Sequence, residues 1–532
     1  MADSVLIIDD FENVRRSVRS MLTALGIRNI VEARDAKEAL KCMQEQPFGF
    51  VFCDFNLGKG MDGQQLLEEA REQEILSWQT HFVIITAETT RDMVMGAIEH
   101  RPDDYLAKPF AFETLKTRWA RWKEAANVLR PINQAIDQEN YSAIVSACKI
   151  LIEKSTRYRS WAQRKLTETL IVMGDFKQAE KTLNEFSETR MLPWMQVDYG
   201  RVRMAQKRYE EAIDFFNIVI EEQPSYVAAF DLLAECYKAL AQVENRKITL
   251  EKALAVSPRN YARQALYAEV TEELEHFDQA LKAYRQVINL TRGSNKESHV
   301  NYAKLLNVMG MHADTLESSK QTIAIKDISS LITKMSKKYQ DVPEVKVTAR
   351  IFRLMNQQRT KALTHDQLKD LLENYEAFLP KAFKSHPNVG FYLARLLYNC
   401  DHMAEGDILI NKLRQHPKAD AEYIAKLEGL QSEPQSPATK KAANVLNRDA
   451  KMHYEKGDYM AALAAFKEAL EFSPRSPALL LNYVQCGLIG GDIGSAEFKK
   501  DALEQLERLS FLHKDHKQYP RYQKIKKRIL SL

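Results

Sequence analysis

Phe50-Val51-Phe52-Cys53-Asp54 is a run of apolar residues held between Gly49 and a carboxylate. A short continuous apolar run with such boundaries reads as a strand buried on both faces. Its last residue, Asp54, falls at the C-terminal end, where open parallel sheets place their ligand crevices. A carboxylate there is costly unless something positive meets it. The segments on either side decide what Asp54 is for.

Upstream, Val5-Leu6-Ile7-Ile8 is a second strand-like run, closed by Asp9-Asp10. Val14, Val18, Met21, Leu22 and Leu25 then recur at helical spacing, with Gly26 as the C-cap. Ile30-Val31-Glu32-Ala33 reads as a strand and residues 36–46 as a helix. Downstream of Asp54, a loop through Gly63 leads to a helix from about Gln64 to Gln73, then to the strand Phe82-Val83-Ile84-Ile85-Thr86. A helix carrying Met93, Val94, Ala97 and Ile98 precedes the last strand, Asp104-Tyr105-Leu106-Ala107, and a final helix runs from Phe112 to about Ala126. Strict strand–helix alternation with apolar strands predicts an α/β domain built on a doubly wound, five-stranded parallel sheet.

The strand ends carry chemistry at one edge of that sheet. Asp9-Asp10 closes the first strand, Asp54 the third and Thr86 the fourth, and Lys108-Pro109 follows the fifth. Gathered carboxylates repel unless a hard cation sits among them. Mg²⁺ suits the set, since it takes a few carboxylates and waters and leaves positions for phosphate oxygens. A lysine and a hydroxyl complete a phosphoryl site by electrostatic logic.

Asp9-Asp10, Asp54, Met61-Asp62-Gly63, Thr86-Ala87 and Lys108-Pro109-Phe110 together resemble the response-regulator receiver domain of two-component signalling, over residues 1–126. The resemblance implies a flavodoxin-like strand order 2-1-3-4-5. It implies that Asp54 takes a phosphoryl group from a sensor histidine kinase or a phosphotransfer protein, and that Asp9, Asp10, Asp54 and the backbone carbonyl of Asn56 hold Mg²⁺. Lys108 would pair with the phosphoryl oxygens, Thr86 would swing toward them, and Tyr105 would follow inward as the second switch residue. The face made by the fourth helix, fifth strand and fifth helix would serve docking or homodimerisation. The loop after Asp54 departs from the family pattern: it is about one residue longer, and Leu57-Gly58-Lys59-Gly60 lacks the customary proline. Asn56 and Glu88 stand at positions that tune phosphoryl lifetime in the family. Cys53 reads as a small core residue.

Beyond Ala126 helical patterns run almost without interruption, and a motif recurs. An aromatic followed three residues later by a small or apolar residue appears at Tyr141/Ile144, Phe176/Ala179, Tyr209/Ala212, Phe277/Ala280 and Tyr459/Ala462. The first four aromatics are spaced by 35, 33 and 68 residues, and Pro224 and Pro258 lie 34 apart. Period and residues resemble the tetratricopeptide repeat, a helix pair that stacks into an all-α superhelix with a concave partner groove. The copy at Val243–Arg246 lacks the aromatic and alanine and rests on spacing alone. The expected organisation is a repeat array over 130–320, degenerate helical repeats over 321–430 (including an amphipathic helix at Leu368–Leu379), a linker or loop over 431–441, and a C-terminal repeat with capping helices over 442–532.

Composition narrows the rest. The chain has 532 residues, a net charge of +4 and six cysteines with no CxxC pair, which suits a reducing compartment and argues against disulfides or a zinc site. No basic-then-apolar leader and no apolar run long enough to span a bilayer is present, so the expectation is a cytoplasmic protein without membrane contact. Nothing beyond residue 126 carries a catalytic motif; a non-enzyme is expected, apart from the receiver's own phosphorylation and slow autodephosphorylation. Lys514, Lys517, Arg521, Lys524, Lys526, Lys527 and Arg528 stand against the single acid Asp515, with Tyr519, Tyr522 and Ile525 between them. That tail suits RNA or DNA binding or a polar capping helix, and the cap is favoured. The function expected is a response regulator whose array binds an unknown partner protein under phosphorylation control. The alternatives are a nucleic-acid effector and a regulator or phosphatase of another phosphoprotein.

Overall fold

The computed structural model describes residues 4–58, 60–87, 102–188, 190–364, 366–367, 369–370, 388–400, 402–416, 419–432, 437–490, 496–510, 512 and 518–531. The expected helix around Met93, Glu88, and all but residues 369–370 of the helix expected at Leu368–Leu379 lie outside the described residues; 369–370 are helical. Two compact units divide the chain, Met1–Ser298 and His299–Leu532.

In the first unit, β1 (Ser4–Ile8), β2 (Asn29–Ala33), β3 (Phe50–Asp54), β4 (His81–Thr86) and β5 (Asp104–Ala107) form one parallel sheet in the order β2-β1-β3-β4-β5. The strand residues alternate between two cores. Val5, Ile7, Phe50, Phe52, Val83 and Ile85 pack against helices Glu12–Ala24 and Phe112–Asp137 through Val18, Leu22, Leu115, Trp119 and Trp122. Leu6, Ile8, Val51, Cys53, Phe82 and Ile84 pack against Ala36–Glu45 and Gly63–Glu72 through Ala39, Met43, Leu66 and Ala70. Burial of both faces is why these strands read as continuous apolar runs. The register pairs Ile8 with Cys53 and Asp54 with Ile85, so the ends of β1, β3 and β4 finish level.

The helix expected to stop near Ala126 instead continues unbroken to Asp137, a span of 26 residues that passes through Pro131. Its first half belongs to the sheet core, whereas Ile132 and Ala135 pack with Ile144, Cys148 and Ala162 in the first repeat. Apolar packing is thus available along its whole length. A single proline removes only one backbone hydrogen bond.

Helices Tyr141–Lys154, Phe176–Ser187, Tyr209–Glu222, Val243–Val256 and Phe277–Leu290 follow a common rule. Two residues before each first residue the backbone turns left-handed, at Glu139 (φ 50°), Gly174 (76°), Lys207 (60°), Ala241 (54°) and Glu275 (59°). This is the geometry that closes one helix and releases the chain into the next. The motif alanines Ala179, Ala212 and Ala280 are fully buried. A Cβ at Gly200 would collide with the Phe216 ring, so the glycine sets how closely those helices approach. The Val243 copy, deprived of aromatic and alanine, keeps the same turn.

Among its described residues the second unit holds helices joined by turns and no strand, from His299–Ala313 to Tyr519–Leu530. The pair Pro437–Glu455 and Tyr459–Phe472 repeats the rule, with Gly457 at φ 80°. The expected linker 431–441 is helical wherever it is described: residues 431–432 end one helix, and Pro437 opens another. Proline suits a first helical position because the N–H it lacks has no partner there. In the last helix Tyr522, Ile525 and Ile529 are buried in the C-terminal core, and Arg521 donates to Asn482 (2.9 Å) and Gln485 (2.7 Å). The aromatic Tyr522 is occupied by packing, as a cap requires. Among the described residues no helix is long and apolar enough to cross a membrane.

Candidate functional site

β1 and β3 run side by side, so their terminal carboxylates meet. One carboxylate oxygen each from Asp9, Asp10 and Asp54 lies within 4.8 Å of the others, with Asp9 and Asp54 buried and Asp10 exposed. Lys108, just past β5, reaches across the edge: its Nζ is 2.7 Å from Asp9 Oδ2 and 3.0 Å from Asp54 Oδ1. The Lys108–Pro109 peptide is cis. Asp9 is held from behind, its Oδ1 accepting from the Phe11 N–H (2.9 Å) and its carbonyl from Arg15 (2.7 Å).

Burial pushes the Asp54 carboxyl above its ordinary range; Lys108 draws it back down, and Asp9 and Asp10 push it up again. For Lys108, burial alone would lower the ammonium, but the hydrogen bonds to Asp9 and Asp54 outweigh it and hold it up. A pocket with more carboxylates than cations, where desolvation already disfavours charge, matches a hard divalent ion. The donor set of Asp9, Asp10 and Asp54 fits Mg²⁺ chemistry; Asn56 stands at the exposed start of the following loop, its side chain accepting from the Gly58 N–H at 3.2 Å.

That loop is pinned at Gly63. A Cβ there would collide with the carbonyl of Asp54, and the Gly63 N–H donates to Phe55 O at 2.7 Å. The Met-Asp-Gly triplet thereby closes the loop onto the end of β3. Thr86, at the end of β4, accepts the Lys108 N–H at its own carbonyl (2.7 Å), which ties β4 to the lysine. Tyr105 packs against the core that holds Val51 and Cys53, and its hydroxyl is buried with no hydrogen-bond partner among the described residues. Cys53 is fully buried, and its thiol is pushed well up by burial, as befits a core residue. Of the site residues read from the sequence, Asp9, Asp10, Asp54 and Lys108 are brought together here; Thr86 meets Lys108 through its backbone, Tyr105 lies in the core, and Asn56 starts the following loop. The support of Asp9 by Arg15 was not legible: an arginine on an amphipathic helix carries no distinguishing pattern.

A parallel sheet of this order with a lysine-bridged acidic pocket at its edge defines a receiver-type domain. The family profile for the response regulator receiver domain matches residues 5–120, and that for the tetratricopeptide repeat matches residues 450–505. Residues of this chain are 38% identical over 114 positions to chemotaxis protein CheY-3 of Vibrio cholerae, covering 21% of this chain and 86% of the relative. They are 34% identical over 123 positions to chemotaxis protein CheY of Pseudomonas aeruginosa, covering 23% of this chain and 98% of that protein. Among solved structures, CheY4 of Vibrio cholerae, crystallised at low pH, is similar at 27% identity with a TM-score of 0.21, covering 23% of this chain and 98% of its own. The chain belongs to the response-regulator receiver family through its N-terminal domain, and it joins that domain to a helical-repeat array.

Proposed function

We propose that Asp54 is phosphorylated by a sensor histidine kinase or a phosphotransfer protein, and that the array is a protein-binding output under its control. Asp9, Asp10 and Asp54, with the Asn56 carbonyl, would hold Mg²⁺, which supplies charge neutralisation for an incoming phosphoryl group. The Asp54 oxygen forms a bond to phosphorus as the nitrogen–phosphorus bond of a donor phosphohistidine breaks, and the ring, protonated on its other nitrogen, leaves as neutral imidazole. Lys108 transfers its two hydrogen bonds from carboxylates to phosphoryl oxygens. Thr86 turns toward the group, and Tyr105 follows into the space beside β4. The output is binding rather than catalysis.

The observation that carries this reading is Lys108 bridging Asp9 and Asp54 at 2.7 and 3.0 Å. The test is labelling of the full chain by a small phosphodonor with Mg²⁺. Asp54→Asn should abolish the label, and Lys108→Met should slow it about a hundredfold, the scale of losing one preorganised charge at a transition state. Label retained by the Asp54→Asn variant would sink the assignment.

A further inference from the structure

Besides the fifth helix, which runs on into the first repeat, the receiver meets the array through helix Gly63–Glu72 and the loop before it. Helix Gly63–Glu72 turns one side, Leu66, Leu67 and Ala70, into the sheet core. Its other side presents Asp62, Gln65, Glu69 and Glu72, spaced at helical intervals on one stripe. Each of the four is engaged by the array. Arg259 Nη2 lies 3.3 Å from Asp62 Oδ2, and its guanidinium stands 5.6 Å over the Phe55 ring. Gln65 Nε2 donates to Leu290 O at 2.5 Å, the Asn295 N–H to Glu69 Oε2 at 3.2 Å, and Lys296 Nζ is 2.5 Å from Glu72 Oε2. At the loop the two backbones touch: a Cβ on Gly293 would lie 2.9 Å from Gly60 Cα.

These contacts share parts with the phosphoacceptor pocket. Asp62 and Gln65 form the capping box that starts the helix, with Asp62 Oδ1 accepting from the Gln65 N–H (2.9 Å) and Gln65 Oε1 accepting from the Asp62 N–H (2.9 Å). Their remaining polar atoms are the ones that reach Arg259 and Leu290. The segment from Asn56 to Gly63 is therefore tied at three points: to Asp54 by Gly63, to the array by Gly60 and Asp62, and to the acidic cluster at Gly58, where a Cβ would stand 3.2 Å from Asp10 Oδ2. So short a segment has little slack with which to follow both the pocket and the array.

We infer that this docking is a latch: the receiver's acidic helix stripe occupies the array surface formed by Arg259, Leu290, Gly293, Asn295 and Lys296, and loading of Asp54 releases it. The inference rests on Asp54 being the phosphoacceptor. When the Asn56 carbonyl and Asp10 turn toward a cation at the pocket, residues 56–58 are drawn toward the sheet edge. Gly60 and Asp62 are then pulled from Gly293 and Arg259, and the capping box leaves with them. The surface so exposed, Arg259, Lys296 and the Asn295 N–H, is shaped for a helix bearing carboxylates at the spacing of Asp62, Glu69 and Glu72. Coupling of this kind is reciprocal: what loading does to the latch, opening the latch does to loading.

The test is hydrogen exchange followed by mass spectrometry on the full chain, with and without beryllofluoride and Mg²⁺. Slowed exchange around Asp54 reports that the probe binds. Residues 60–73 and 259–297 should then exchange at least about fivefold faster, the lower bound of ordinary allosteric coupling. Arg259→Glu with Lys296→Glu, both at partly exposed side chains, should give the fast exchange without the probe. It should also bind beryllofluoride about fivefold more tightly. Binding at Asp54 with unchanged or greater protection of both segments overturns the latch alone, as does an unaltered probe affinity in the charge-reversed variant. Failure of the probe to bind at Asp54 overturns the phosphoacceptor reading and the latch with it.

Discussion

Asp198 shows how much a single buried carboxylate sets. It lies on helix Pro193–Ala205, 1% exposed, with Thr167 Oγ1 donating to it at 2.8 Å and Arg201 Nη1 at 3.1 Å. Burial pushes its carboxyl up to about 6, and the nearby guanidinium of Arg201 recovers only part of that shift. A carboxyl raised above its unfolded value is favoured by the fold in its protonated form. Its contribution is fully present below about pH 4 and is lost as pH rises through about 6. Asp198→Asn keeps an acceptor for Thr167 without the charge. The variant should be more stable than the parent by about 3 kcal/mol at pH 8, with the gap closing at about pH 4. Urea melts at the two pH values measure it, and an equal gap at both would show that Asp198 stays ionised in the fold. Asp54 is displaced in the same direction. There burial raises the carboxyl, and the Lys108 bridge at 3.0 Å draws part of the shift back.

At the scale of the element, the helix pairs of the array depend on one left-handed residue apiece. Gly174 and Gly457 adopt it without penalty, whereas Ala241 does so at φ 54° and carries a Cβ into a crowded conformation. Ala241→Gly should therefore raise stability by about 1 kcal/mol, against the usual loss on placing glycine in a helix. Chemical denaturation of the full chain decides it, and a loss of stability would mean that the turn is not strained. The Met-Asp-Gly triplet is the other element-level device. Gly63 admits the loop against the Asp54 carbonyl, and Asp62 and Gln65 start the next helix with the groups that also face the array.

At the scale of the molecule, two compact units share the chain, and the receiver belongs to the first. A ligand of the native pocket stabilises only the unit that holds it. Beryllofluoride with Mg²⁺ at about a hundred times its dissociation constant should add about 2.7 kcal/mol to that unit. In calorimetry the transition of unit Met1–Ser298 should move upward while that of His299–Leu532 stays in place. A common shift of both would show that they unfold as one.

The sheet and its pocket were legible from local pattern. Strands buried on both faces leave continuous apolar runs, and parallel strands bring their C-terminal ends to one edge, so Asp9, Asp10, Asp54, Thr86 and Lys108 could be gathered before any coordinates. The repeats were legible because each must present the same residues to its neighbours, which writes a period of about 34 into the chain. Even the unit at Val243, stripped of its aromatic, kept its spacing. Where the long helix ends was not legible, because Phe112–Asp137 is continued by the packing of Ile132 and Ala135 on a repeat rather than by any feature of its own residues. Nor was the docked face: Asp62, Gln65 and Glu69 meet partners 197, 225 and 226 residues away. A polar helix stripe looks the same whether it faces water or another surface. Periodicity records which side of an element leaves solvent, while only the closed fold decides what the other side touches.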